Sequence, residues 1–292
     1  MLKDRGVLVL GSSGMAGHAL AAYIRESGGF DVSDVGPRSR AFESTILADI
    51  LTNEGLERRI DEIAPGCVVN CVGMLVKACE ERKREAIYIN AYLPRLLSEI
   101  CASRAIRLIH LSTDCVFSGA NGPYDEDATR DGDSFYDRTK ALGEIVDGGD
   151  LTIRTSIIGP ELREDGTGLF DWFVRQEGET YGFRSALWSG VTTIELAKFI
   201  HHVILRKPDL AGLVHYSVSG GISKFDLLGL IREEFGTKSR VVPVDEPRID
   251  KRLICTRTDL GMAPVPYSLQ IAEMRDWIRS HSDLYPRFRE LA

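Results

Sequence analysis

The sequence predicts an α/β protein built on a doubly wound parallel sheet, with a smaller discontinuous lobe toward the C-terminus. Two observations carry that expectation. Short apolar runs recur at residues 7–10, 30–35, 67–72, 107–112, 151–158 and 213–218. Stretches of helical period, such as Leu56, Ile60 and Ile63, separate them, and this alternation is the pattern of a parallel sheet covered on both faces. After residue 158 the rhythm breaks, with Gly166, Gly168, Gly178 and Gly182 in a looser region before a helix-like stretch at 190–205. A further helix is expected near 222–235, then proline-bearing, partly extended chain over 241–268 and a last helix. The main domain is therefore expected over 1–158 plus about 190–218, and the lobe over about 159–189 plus 219–292.

Composition narrows the partners. The 292 residues are 43% apolar, enough for a substantial core. Lys plus Arg number 36 against 43 Asp plus Glu, a net charge of −7 that argues against nucleic acid or an anionic membrane as partner. No apolar run is long enough to cross a bilayer, and residues 1–6 lead into the first strand with no leader ahead of it, so a cytoplasmic location is expected. Cys67, Cys71, Cys79, Cys101, Cys115 and Cys255 form no CxxC pair and have no His at zinc spacing, so buried free thiols are expected, with Cys115 facing a ligand. His201 recurs with Ile194, Ala197 and Ile204 at helix period and reads as packing. The acidic stretch 125–133 fails as a calcium loop: a start at Asp127 puts Gly132 in the turn position but Arg138 where a bidentate Glu belongs. No metal site is expected.

The first strand, 7–10, runs into Gly11-Ser-Ser-Gly14-Met-Ala-Gly17 and then a helix-period segment. Glycines there allow strained dihedrals and close backbone approach, and a helix N-terminus offers free N–H groups to a pyrophosphate. The spacing is GxxGxxG, and the segment reads as the dinucleotide turn of a Rossmann-type sheet, with Gly11, Ser13, Gly14, Met15 and Gly17 as contacts. A glycine-rich turn with no ligand is the alternative. The second strand ends near Asp34, followed by Arg38 and Arg40. An acid in that place serves the ribose of NAD, whereas Arg accommodates the 2′-phosphate of NADP. NADP(H) is favoured through Arg38; NAD(H) stays open through Asp34, and the arginines also read as surface charges.

The run 107–112 is apolar enough for a central strand and delivers Thr113 and Asp114 to its carboxyl end, the edge where open α/β sheets bind ligands. Thr113 offers a hydroxyl to a carbonyl oxygen; equally, these residues cap turns. Further on, Tyr136 stands four residues before Lys140 at helical spacing, which puts phenol and ammonium on one face. A nearby cation favours the ionised phenol and lowers its pKa, which suits a proton donor working near neutrality. A solvated helix face is the bland reading of the same spacing.

Together these segments resemble the extended short-chain dehydrogenase/reductases, and within them the sugar-nucleotide reductases typified by dTDP-4-dehydrorhamnose reductase. The resemblance rests on GSSGMAG at 11–17, VVNCVG at 68–73, INAYLP at 89–94, LSTDCVFSG at 111–119, YDRTK at 136–140 and IRTSIIGP at 153–160. It spans nearly the whole chain. It implies hydride transfer to the ketone of a nucleotide-linked 4-keto-6-deoxy sugar, with Tyr136 as proton donor, Lys140 lowering its pKa and holding the nicotinamide ribose, and Thr113 orienting the carbonyl. It further implies Asp49 and Ile50 beside the adenine, Cys71, Val72 and Gly73 along the cofactor ribose, and Asp114 and Cys115 near the sugar. Arg184, Lys251 and Arg252 are candidates for the substrate pyrophosphate, and Trp188, within GFRSALWSGVTT at 182–193, joins the substrate set. A homodimer is the assembly expected. Cys115 and Ile157 depart from the Tyr and Trp usual in the rhamnose enzymes, which implies a different sugar. Rival readings are a 4,6-dehydratase, whose usual acid after Thr-Asp is replaced here by Cys115; an NAD-dependent epimerase or epimerase/reductase; and an NADP-binding regulatory subunit like that of methionine adenosyltransferase.

Overall fold

The protein is described by a computed structural model over residues 6–36, 39–48 and 52–291. Six strands come first: β1 Val7–Leu10, β2 Val32–Gly36, β3 Ile46–Leu47, β4 Cys67–Asn70, β5 Arg107–Thr113 and β6 Leu151–Thr155. Short strands follow: β7 Ile157–Ile158, β8 Glu179–Phe183, β9 Ala186–Trp188 and β10 Val191–Thr192. Then come β11 Gly212–His215, β12 Ile222–Ser223, β13 Arg240–Val244 and β14 Ile249–Asp250. Between them lie α1 Met15–Ser27, α2 Asn53–Ile63, α3 Val76–Glu81, α4 Lys83–Ile87 and α5 Leu93–Ser103. The later helices are α6 Phe135–Leu142, α7 Leu169–Phe173, α8 Thr193–Arg206, α9 Lys224–Phe235 and α10 Tyr267–Ser280.

Seven strands make one parallel sheet in the order β11-β6-β5-β4-β1-β2-β3. Side chains alternate across a strand, so β1 sends Val7 and Val9 into one core with Leu20 and Ile24 of α1 and Phe199 and Val203 of α8. Leu8 and Leu10 enter the opposite core with Leu56 and Ile60 of α2 and Leu97 of α5. Both faces are covered, as expected for a doubly wound sheet. Strand order reverses at β1, so the loops leaving β1 and β4 diverge and open a crevice at the carboxyl edge.

Two expected strands end early for a visible reason. The run 151–158 divides at Ser156, because β7 leaves the sheet to pair in parallel with β10. The run 213–218 leaves it after Tyr216, whose N–H still reaches the Arg154 carbonyl at 3.1 Å, while Val218 N–H turns to the Ser189 carbonyl at 2.8 Å. These divergences feed a separate hydrophobic cluster that includes Phe170, Phe173, Trp188, Leu227, Ile231 and Tyr267. Around it β8 pairs with β13, and β9 lies between β12 and β14. The sequence shows β8, β9, β13 and β14 only as loose or partly extended chain, because strands of two to five residues carry too few side chains to display a period.

Among the described residues no helix is long and apolar enough to cross a membrane. His201 packs edge-on against Tyr23 and Phe30, the packing role its spacing implies. All six cysteines are free, as expected.

Candidate active site

The turn after β1 is built by close backbone approach. Gly11 adopts φ 85°. Gly11 and Ser12 both donate to the Val35 carbonyl, at 2.9 and 3.2 Å. A Cβ on Gly11 would meet the Cys71 carbonyl carbon and the Val72 nitrogen at 3.0 Å, so the β1 and β4 exits lie against each other. A Cβ on Gly17 would overlap the Gly11 carbonyl oxygen, which leaves only glycine at that turn of α1. Gly14 caps α1 with no side-chain hydrogen bond, so the helix begins with free N–H groups beside Ser13 and Met15. Ser12 Oγ is buried without a partner. Narrow backbone, free N–H groups and an orphaned hydroxyl are the features a dinucleotide pyrophosphate satisfies. Behind the turn, His18 Nδ1 meets the Gly14 carbonyl at 2.8 Å and Nε2 meets the Tyr285 hydroxyl at 2.7 Å, to which Trp277 Nε1 donates at 3.3 Å. Burial pulls His18 down to about 4, so the ring is neutral.

Asp34 Oδ1 is taken by Arg25 from α1, while its Oδ2 is buried without a partner. Arg40 is likewise engaged, donating to the Glu43 and Thr45 carbonyls at 2.8 and 2.9 Å. Arg38, Asp49 and Ile50 lie outside the described residues. An open cleft of about 560 Å³ is lined by Leu47, Ala48, Thr52, Gly55, Arg58 and Arg59.

Thr113 ends β5 opposite Thr155 of β6. Its Oγ1 accepts from Cys115 N–H at 3.1 Å and contacts Asp114 Oδ1 at 3.2 Å, so the capping reading and the site reading hold together. Tyr136 rides the first turn of α6, fixed by a capping box in which Ser134 and Asp137 each satisfy the other's backbone N–H. Its ring packs with Met74, Cys79 and Ala86, and the Thr113 side chain lies near enough to act on its phenol. Lys140, one turn on, donates to the Leu111 carbonyl at 2.8 Å. Sequence spacing thus brings Thr113, Tyr136 and Lys140 to one end of β5, beside Cys71 of the β4 exit.

The electrostatics correct one expectation. Burial, reinforced by Cys115, pushes the Tyr136 phenol above its usual value, and Thr113 pulls only partly the other way. Lys140 is not what sets it. Burial lowers Lys140 itself to about 8, with Glu144, Cys71 and Cys79 acting to raise it. At neutral pH the phenol is protonated and the lysine charged, the states a proton donor and its neighbour need.

Two residues behind the site carry no sequence assignment yet organise it. Asn90, in the π-helical turn Tyr88–Tyr92 within the INAYLP stretch, accepts from Met74 N–H at 2.8 Å and donates to the Met74 carbonyl at 3.0 Å and to Thr139 Oγ1 at 3.3 Å. It ties the β4 exit to α6. Glu144 takes a bidentate pair from Arg154 at 2.8 Å and 2.8 Å and a hydrogen bond from Ser112 at 2.7 Å. Arg154 also meets His215 at 2.8 Å. Glu144 and Arg154 are both buried, and together they lock α6, β5, β6 and β11 under the reacting groups.

On the lobe side the candidates separate. Asp114 is buried, and burial raises its pKa against the pull of Lys224 and Lys251. Cys115 sits beside Asp114, Lys251 and Tyr136, its thiol pushed up to about 12 by burial. Arg184 lines an open cleft of about 640 Å³ with Leu187, Gly221, Ser223 and Phe225, its guanidinium 5.4 Å from the Phe225 ring centre. Two substrate expectations fail. Trp188 is buried between Tyr267, stacked at 5.7 Å, and the Lys224 ammonium at 4.6 Å, so neither indole face is open. Arg252 forks onto Asp250 at 2.9 and 2.7 Å and donates to the Gly220 carbonyl at 3.0 Å, which engages its guanidinium within the lobe.

The family described as the RmlD substrate binding domain matches residues 5–253. The chain belongs to the RmlD family. It is 30% identical over 254 residues to a dTDP-4-keto-6-deoxy-D-glucose reductase of Streptomyces niveus, covering 83% of each chain. It is also 23% identical over 296 residues to methionine adenosyltransferase 2 subunit beta of Rattus norvegicus, covering 93% of this chain and 87% of the relative. The fold matches a dTDP-4-dehydrorhamnose reductase of Bacillus anthracis in complex with NADP at TM-score 0.79, with 20% identity and 93% and 98% of the two chains covered. This RmlD-family chain is thus an extended short-chain dehydrogenase/reductase, as the motifs implied.

Lys224 is the site residue that sequence reading passed over. Its signal was local: a lysine directly after the cap Ser223 sets a cation against the positive end of α9. Residues that break such a rule mark functional or strained positions.

Proposed function

We propose that this RmlD-family protein reduces the keto group of a nucleotide-linked 4-keto-6-deoxy sugar with NADPH. The observation that carries the reading is the convergence of the Tyr136 and Thr113 side chains at the end of β5, with Lys140 held on the Leu111 carbonyl beside the β4 exit. The 30% identity to the Streptomyces niveus reductase supports it. Gly11, Gly14, Gly17 and the orphaned Ser12 hydroxyl would hold the pyrophosphate, Cys71, Val72 and Gly73 the ribose, and the cleft at Thr52 and Arg58 the adenine end. Arg25 pairs with Asp34 Oδ1 and offsets the negative charge at the β2 end that would oppose a 2′-phosphate, which supports NADPH over NADH.

When bound, NADPH supplies the hydride. Thr113 Oγ1 donates to the substrate carbonyl oxygen and fixes its direction. Tyr136 gives its hydroxyl proton to the same oxygen as negative charge develops there. Lys140, charged below about pH 8, stands one turn along α6 from Tyr136 and would hold the nicotinamide ribose. Asp114 and Cys115, just past the end of β5, face the sugar nucleotide opposite Arg184 and Lys251 of a lobe formed by about 159–189 and 219–292. The protein acts on a soluble substrate, and we take it to be cytoplasmic and a homodimer.

An NADPH-oxidation panel across dTDP-, UDP- and GDP-linked ketosugars tests this reading. Turnover with one of them supports it. Silence across the panel with NADPH bound supports instead the regulatory-subunit reading, which the similarity to the methionine adenosyltransferase beta subunit favours.

A further inference from the structure

Lys224 is presented with care that α9 does not need. It is the first residue of that helix, directly after Ser223, whose Oγ accepts from Asp226 N–H at 3.0 Å. A cation at a helix N-terminus opposes the dipole, so the helix would be better served by almost any other residue. Its ammonium lies 4.6 Å from the Trp188 ring centre, and Tyr267 stacks on the indole at 5.7 Å. This aromatic backing fixes where the amine points.

From there its charge reaches Asp114. That carboxylate is buried directly after Thr113, and it feels both Lys224 and Lys251. Among the described residues no direct ion pair joins Asp114 to either lysine, and the Lys224 ammonium makes no hydrogen bond. Burial lowers Lys224 to about 8 against Asp114 and Cys115, so it is charged at neutral pH. A charged donor and a carboxylate acceptor therefore stand apart beside the Thr113 and Tyr136 hydroxyls. Asp114 takes a hydrogen bond from Thr113 and still has lone pairs to offer, while the half-buried Lys224 ammonium has protons to place. A hydroxyl, which both accepts and donates, is the group that would satisfy the two at once. The reacting carbonyl oxygen cannot do so, since it has no proton to give and is already served by Tyr136 and Thr113.

We propose that Lys224 and Asp114 together grip a ring hydroxyl on the carbon next to the reacting ketone, Lys224 donating to its oxygen and Asp114 accepting its proton. This specificity-determining pair selects α-hydroxy ketosugars over their deoxy counterparts. It rests on the keto-sugar reading of the same site.

The test compares Lys224→Met, which keeps the stem over Trp188, with wild type. Two nucleotide-linked ketosugars are used that differ only in the hydroxyl beside the ketone, with calorimetric binding and NADPH oxidation as readouts. The hydroxylated ligand should lose roughly 10- to 100-fold in affinity and KM, the range for a hydrogen bond to a charged group, with kcat little changed. The deoxy ligand should bind both proteins alike. Asp114→Asn should show the same selective loss, and the double variant no more than either single one. Equal weakening of both ligands, or none for the hydroxylated one, overturns the proposal. Calorimetry needs no turnover, so a wild type that binds ketosugar yet oxidises no NADPH removes the reductase reading while the Lys224 comparison still decides. A wild type that binds neither ligand overturns both.

Discussion

The nucleotide half and the C-terminal lobe treat their polar groups in opposite ways. In the half built on the seven-stranded sheet, Asn90 bonds the β4 exit to α6, Glu144 and Arg154 pair in the interior, and the Lys140 ammonium rests on the Leu111 carbonyl. In the lobe, the Lys224 ammonium lies over the Trp188 ring and the Arg184 guanidinium over that of Phe225. Lys140 and Lys224 are both lowered to about 8 by burial, yet one has a fixed acceptor and the other has none. The first arrangement holds reacting groups still. The second leaves bonding capacity for a ligand to complete.

The sharpest way to break this contrast lies in the fixed half. Tyr136→Phe should lower turnover by roughly 10²- to 10⁴-fold, the usual contribution of a positioned acid, with cofactor affinity unchanged by calorimetry. Wild-type-like turnover would remove Tyr136 as proton donor. Glu144→Gln leaves Arg154 buried without its countercharge and should cost about 3–5 kcal/mol of stability by urea unfolding. A loss under about 1 kcal/mol would mean the pair does not brace the site. Gly17→Ala should cost about 1–3 kcal/mol through overlap with the Gly11 carbonyl, and weaken NADPH binding.

A pH profile sharpens the comparison of the two lysines. Lys140 sits at about 8 in the fold against an ordinary 10.5, facing Glu144, Cys71 and Cys79, so kcat/KM should fall as pH rises through about 8. The same depression means the unfolded chain keeps its proton to higher pH, so this group adds stability as pH climbs from about 8 toward 10.5. If Lys140 sets the alkaline limb it survives in Lys224→Met; if the limb disappears there, the lobe lysine set it. The smallest effect belongs to the lobe alone: Ser223→Ala should cost about 1 kcal/mol as a lost cap and raise substrate KM, leaving NADPH affinity intact.

What the sequence disclosed follows the same division. Strands β1, β4, β5 and β6 are largely buried on both faces, so β1 appears as an unbroken apolar run and the others as apolar runs broken at few positions such as His110 and Arg154, and the glycine turn and Thr113 lie at their ends in readable order. Lobe strands such as β12 and β14 are two residues long and take their identity from distant partners, which no local pattern can show. Trp188 and Arg252 looked like ligand contacts because residue type alone does not say that Tyr267 covers one and Asp250 holds the other. The direction of the Tyr136 shift was also hidden, since spacing supplied the cation but not the burial that outweighs it.

The chain from Gly14 through His18 and Tyr285 to Trp277 gives the protein a built-in optical gauge. An indole N–H that donates to a hydroxyl, itself bonded to a neutral imidazole anchored on the glycine turn, feels any tightening of that turn through two hydrogen bonds. With Trp172 and Trp188 replaced by Phe, emission from Trp277 would follow the dinucleotide crevice without a label, and a Tyr285→Phe version supplies the silent control.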